Sequence, residues 1–306
     1  MSRFTPRAAA SGAGALAFSA TSLLALGGYL LHRLVNDRTV PVLAPMPTKP
    51  GAAETCWQAG GGEGATGRFS RVLAVFAHPD DEVMVAGTLA KLHAAGAETH
   101  LLYLTHGEDG PTGGLASRQD LGAVRAAEVE QVGRVLQVDS VELLDFPDRY
   151  LNDVPQAELT AAVMQRINQL RPDTLICFDH QIGLYGNPDH ACAGRVVQDI
   201  WPESGAENLL IMTLPEPMIR IALRVSQTFQ ERYRPATPAD GLPQANCCVS
   251  ISRFAKQKRA VIEAHQTQRA VMNDVQPLWD KLPYWIYYRV FAKEYFQWLT
   301  NQAGVI

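Results

Sequence analysis

Residues 72–83 read VLAVFAHPDDEV. Six mostly apolar residues run without a break into His78, Pro79 and three consecutive acids, Asp80, Asp81 and Glu82. The apolar run has the length and content of a buried β-strand. Carboxylates are costly to bury at such a place unless they are paired or bound to a metal. Pro79 stops the strand and sets up a helix within one or two residues, and the free N–H groups of a helix start favour carboxylates. That accounts for acids in general and for Glu82 as a framework residue. It does not account for a histidine three positions before Asp81.

Downstream, apolar runs alternate with helical patterns. Strands are expected at THLLYLTH (99–106), SVELLDF (140–146), DTLICFD (173–179), NLLIMTL (208–214) and IRIALRV (219–225). Helices are expected over 82–95, 117–136, 157–170, about 189–201, 252–268 and 284–299. Strands alternating with helices predict an α/β fold with a Rossmann-like, mostly parallel sheet flanked by helices. In such sheets ligands bind outside the carboxyl ends of the strands, where His78 to Glu82 fall.

His-x-x-Asp can place an imidazole and a carboxylate on one metal ion. A catalytic zinc needs three protein ligands and one open position. The third should come from the end of another strand, and the segment after 173–179 supplies a matching turn, Asn187-Pro188-Asp189-His190. His78, Asp81 and His190 are therefore the candidate metal ligands. Asp80 stands beside them, placed to take a proton from a bound water.

AHPDDE after an apolar strand, followed by YGNPDH (185–190), resembles the PIG-L/LmbE-like family of zinc-dependent de-N-acetylases. RAAE (125–128) after THGEDGPTGG (105–114), LLDFPD ending at Asp148, and AHQTQ (264–268) fit further family positions in order. The resemblance covers roughly 71–299. It implies Zn2+, or another divalent transition metal, on His78, Asp81 and His190, with Asp80 as general base. It also implies Arg125 and Asp148 as sugar-holding residues and Tyr185 as a group polarising the acetamide carbonyl. The implied reaction removes an N-acetyl group from an N-acetylglucosaminyl-type conjugate, releasing acetate and an amine.

One position departs from the family. Its second turn usually reads His-Pro-Asp-His, the first histidine serving in proton donation or oxyanion stabilisation, and here that residue is Asn187. An amide donates a hydrogen bond but delivers no proton at neutral pH. Asp189, which orients that histidine in the family, is then left without its usual partner. Three readings stand: Asp80 shuttles the proton; His180 or His106 substitutes; or turnover is lost and the domain binds metal and glycan only.

The chain has 306 residues, 47% of them hydrophobic and 19% charged, with a formal net charge of −4. No basic face is evident, which argues against nucleic acid as a partner. Five cysteines without a CxxC spacing argue against a disulfide framework or a structural zinc site. Residues 8–31 form a run of 24 positions without a charged or histidine side chain. As a helix it reaches about 36 Å, enough to span a bilayer. A cleaved signal peptide is the rival, but the run closes on Leu30, Leu31 and then His32 instead of a small-x-small site. The division expected is a single-pass membrane anchor over 1–34, a Pro/Gly-rich tether over 35–69 and a catalytic domain over 70–306. Lys and Arg tie on the two sides of the anchor. The free amino terminus tips the orientation towards an inside N-terminus and an extracytoplasmic domain.

Overall fold

The computed structural model describes residues 26–45, 56–59, 66–236 and 240–301. In chain order these form helix α1 (26–35) and three short strands, β1 (Leu43–Pro45), β2 (Cys56–Ala59) and β3 (Thr66–Arg68). Then come β4 (Arg71–Phe76), α2 (Ala86–Ala94), β5 (Glu98–Tyr103), α3 (Leu121–Leu136), β6 (Ser140–Leu143), α4 (Gln156–Leu170) and β7 (Thr174–Cys177). A short kinked turn, α5 (Gly183–Gly186), leads into α6 (Pro188–Ile200) and β8 (Asn208–Thr213). The remainder is α7 (Glu216–Val225), α8 (Gln227–Arg232), β9 (Cys247–Ser250), α9 (Ala255–Ala264), α10 (Arg269–Val275), α11 (Tyr284–Val290) and β10 (Lys293–Thr300).

Seven strands make one sheet in the order β6-β5-β4-β7-β8-β10-β9. From β6 to β8 every pairing is parallel; β10 joins β8 and β9 antiparallel. β4 shows why its apolar run is unbroken. Val72, Ala74 and Phe76 enter one core with residues of α2, α3 and α9, while Leu73 and Val75 enter the other with residues of α4 and α6. Both faces are covered, so every position from Val72 to Phe76 is apolar, as parallel sheets require. The chain leaves β4 towards β5 and β6 on one side and takes up β7 and β8 on the other. The carboxyl ends of β4 and β7 therefore flank the switch point, the usual ligand crevice of doubly wound sheets.

Several expectations need correcting. IRIALRV is not a strand but lies in α7, whose Met218, Ile221, Ala222 and Val225 follow helical spacing. The helix expected over 284–299 ends at Val290, and the chain then extends as β10. The edge of β8 needs a hydrogen-bonding partner, and Tyr295, Phe296 and Trp298 suit a strand. The tether expected over 35–69 is, in its described residues, part of the folded body: β1–β3 pair as an antiparallel sheet, and Leu43, Trp57 and Phe69 belong to the core. Most of the expected anchor lies outside the described residues. Within them α1 covers 26–35, with Leu26, Tyr29, Leu30 and Leu34 exposed, and no described helix is long and apolar enough to cross a membrane. Cys177, Cys192, Cys247 and Cys248 are buried free thiols.

Candidate active site

At the end of β4 the chain turns through Pro79 into a one-turn 3-10 helix, Asp81–Met84. Asp80, immediately before it, has φ 99°. A non-glycine residue held there costs about 1–3 kcal/mol, and such strain persists where its surroundings over-determine it. The surroundings do so here. The Asp80 N–H donates to Glu82 Oε2 at 3.1 Å, and Val83 N–H donates to the Asp80 carbonyl at 3.2 Å. The Arg125 guanidinium sits 3.3 Å from Asp80 Oδ1 and also donates to the Pro79 carbonyl.

At the end of β7 the Asp179 carboxylate accepts N–H groups from Gln181, Ile182 and Leu184 and so folds the loop that presents Tyr185. Gly183 has φ +62°, and a Cβ there would lie 2.5 Å from the Ala191 nitrogen, so only glycine lets α5 close on α6. Asn187 caps α6 by accepting the Asp189 N–H at 3.0 Å, and its side chain pulls the Tyr185 pKa down against the larger opposing effect of burial.

The two turns bring His78, Asp81 and His190 together, with one ligand atom from each within 4.8 Å of the others. His190 is 1% exposed and stacks on Phe178 with centroids 4.0 Å apart. Its Nε2 lies 3.0 Å from Asp81 Oδ1, yet neither ring nitrogen makes a hydrogen bond. A buried imidazole aimed at a carboxylate off the hydrogen-bond direction suits two ligands of one ion better than a neutral pair. The donor set, two imidazoles and one carboxylate, is also that of catalytic zinc sites. The residues present fit a metal.

His78 is locked from behind. Its Nε2 lies 3.1 Å from Asp148 Oδ1 and 3.2 Å from Asp189 Oδ2, leaving Nδ1 on the side of Asp81. Burial pushes its pKa down, but hydrogen bonds to Asp148 and Asp189 and the charge of Asp81 outweigh it and raise the value to about 10. Asp80 is pushed up to about 7 by burial and by the Asp81 and Glu82 charges, against the pull of Arg125 and His265. A cation between the two turns would lower both values. Burial likewise raises the pKa of the Tyr185 hydroxyl, so it keeps its proton.

Other expected residues lie away from the cavity or are engaged by partners within the protein. His180 is exposed and pairs with Gln198 Oε1 at 2.8 Å. His106 pairs with Asp145 at 3.1 Å near the surface. Neither lines the cavity that Asp80, Asp81, Tyr185 and His190 share. Arg125 and Asp148, expected to hold a sugar, are 3% and 5% exposed with internal partners. Arg125 donates to Gly107 O and Pro79 O, and Asp148 Oδ2 accepts the Asp109 N–H. They brace Asp80 and His78. Asp189 is not left without a partner: besides His78, its Oδ2 accepts the Arg149 N–H at 2.7 Å.

Beneath Asp80 lies a network the motif alone did not disclose. Glu82, fully buried, accepts Tyr103 O–H at 2.9 Å and meets His265 Nε2, while Glu128 accepts the Thr267 N–H and hydroxyl at 2.8 Å. Burial lowers the His265 pKa, but Glu82 and Glu128 outweigh it and raise it to about 10. The only signal was the acid following Asp81 and the histidine of AHQTQ; their contact is long-range.

Comparison with known proteins supplies the rest. The family model PIG-L: GlcNAc-PI de-N-acetylase matches residues 73–201. Over 237 residues the chain is 34% identical to a 1D-myo-inositol 2-acetamido-2-deoxy-alpha-D-glucopyranoside deacetylase of Mycolicibacterium vanbaalenii, covering 67% of this chain and 83% of the relative. The chain belongs to the PIG-L family of de-N-acetylases. Another relative of this PIG-L-family chain is the diacetylchitobiose deacetylase of Thermococcus kodakarensis. It is 28% identical over 216 residues, covering 69% of this chain and 73% of that one. The fold is shared with an N,N'-diacetylchitobiose deacetylase from Pyrococcus horikoshii: TM-score 0.53, 20% identity, covering 78% of this chain and 86% of that one.

Proposed function

We propose that this chain is a metal-dependent hydrolase that removes the N-acetyl group from an N-acetylglucosaminyl-type conjugate. The observation that carries the reading is that Asp80, Asp81, Tyr185 and His190 line one cavity at the switch point of the sheet. The ion, zinc in this reading with iron, cobalt or manganese as the alternatives, would be held by His78, Asp81 and His190; when bound it acidifies water and polarises an acyl oxygen.

The chain's own residues do the rest. Asp80 takes the proton of the attacking water and returns it to the leaving amine, so one carboxylate serves as base and then acid. Arg125 and the Glu82 carboxylate hold Asp80 in its strained conformation for that exchange. Tyr185 keeps its proton and donates a hydrogen bond to the acyl oxygen as charge builds on it. Asn187 caps the helix that carries His190 and so helps to hold that residue in place. Asp148 and Asp189 fix the tautomer of His78.

Asn187 is also the observation that favours a second reading, a membrane-tethered metal- and glycan-binding protein without turnover. Acetate release from N-acetylglucosaminyl conjugates, abolished by Asp80→Ala, supports the hydrolase. Metal and sugar binding with no release across the panel supports the binding protein. The same proposal keeps the N-terminal segment as a single-pass anchor with the domain outside the cytoplasm, resting on the 24 uncharged residues of 8–31.

A further inference from the structure

The cavity that holds the reacting groups does not end at them. From Asp80, Asp81, Tyr185 and His190 it continues as a channel of ≈ 170 Å³ between the sheet, α7, α10 and α11, and reaches Val35 at the end of α1. Past the reacting groups its wall is mainly hydrocarbon and thioether, including Met212, Met218, Ile221, Val225, Met272 and Phe291. The α7 side chains arrive at i, i+3, i+4 and i+7, so one whole helical face is given to the channel.

Three charged side chains touch the wall, and each has a partner. Lys258 pairs with Glu294 at 2.5 Å, and Glu294 also accepts the Gly87 N–H and both the N–H and the hydroxyl of Thr88. Lys293 donates to the Asp37 carbonyl at 2.6 Å. No charge is left over for a polar ligand. The far end is apolar as well, with Val225 exposed and the exposed Leu34 and Leu278 adjoining the lining residues Val35 and Pro277. An acetyl group and a sugar ring need none of this. A wall so largely apolar favours hydrocarbon over water along this stretch.

We infer that the channel binds an unbranched alkyl chain carried by the amide substrate, so that the preferred substrates are amphiphiles and not soluble N-acetyl sugars. This rests on the hydrolase reading above and deepens it: the acyl C–N bond is still cleaved by water, giving a carboxylate and an amine. The chain is joined either to the acyl carbon or to the far side of the sugar, and the two sources make the arms of the test.

Wild-type protein is assayed with N-acetyl-, N-butanoyl- and N-octanoylglucosamine in one arm, and with methyl and octyl glycosides of N-acetylglucosamine in the other. Binding of each is measured alongside by titration calorimetry, which needs no turnover. In one arm kcat/KM and affinity are expected to rise with chain length, by up to about fourfold per methylene buried. The arm that rises identifies the side carrying the chain. Ile221→Trp, which fills the channel away from the reacting groups, is expected to erase the gain and leave hydrolysis of the short substrate within about threefold. Ala222→Phe serves the same purpose if that variant misfolds. Chain-independent binding and rates in both arms overturn the inference while leaving the hydrolase standing. Absence of hydrolysis with every substrate, together with chain-dependent binding erased by Ile221→Trp, sinks the hydrolase and leaves the channel assignment supported.

Discussion

Asp189 Oδ2 lies 3.2 Å from His78 Nε2, across a sequence separation of 111 residues. A carboxylate behind a ligating histidine fixes which nitrogen is free for the ion and raises its basicity. With Asn187 in the place where a histidine would have engaged it, Asp189 pairs with His78 and the Arg149 N–H instead. Asp189→Asn is expected to weaken metal binding about 10–100-fold, the usual effect of removing such a partner. Chelator competition measures it, and unchanged affinity would contradict the assignment.

Tyr185→Phe removes a hydroxyl from the cavity lined by Asp80, Asp81 and His190. Loss of one donor to a developing oxyanion costs about 10²–10³ in kcat. The expected result is a fall of that order with KM changed little. A change confined to KM would make Tyr185 a binding residue only.

Replacing His180 with Gln is expected to leave kcat within about twofold, because the imidazole faces solvent and Gln198. A loss of tenfold or more would place a proton donor where the geometry puts none.

Asn187→His tests proton delivery from the other side. The substitution removes the cap on α6, a loss of about 1 kcal/mol in stability readable as a lower Tm. With Asp80 returning the proton, turnover is expected to stay level or fall. A tenfold rise would show that the chain lacks a donor it needs.

Much of this was legible in the sequence, for physical reasons. The strands β4, β5, β7 and β8 are buried on both faces and so read as apolar runs, and acids at the end of such a run demand an explanation. Other parts were illegible because their cause is long-range. IRIALRV fits a strand as well as a helix until its apolar positions find a channel to line. Trp57 looks stranded in a Pro/Gly-rich segment until it meets Phe69, with ring centroids 5.9 Å apart. Arg125 and Asp148 carry the charge expected of sugar-binding groups, and their contacts with Asp80 and His78 join residues too far apart in sequence to be read from a motif.

The central measurement is the metal content of the purified protein and of its His190→Ala variant. One equivalent of a divalent transition metal per chain is expected in the wild type. The variant, still folded by circular dichroism, should lose most of that metal and the hydrolysis with it. A wild type that binds no metal, or a folded variant that retains a full equivalent, would contradict convergence of the two turns on one ion.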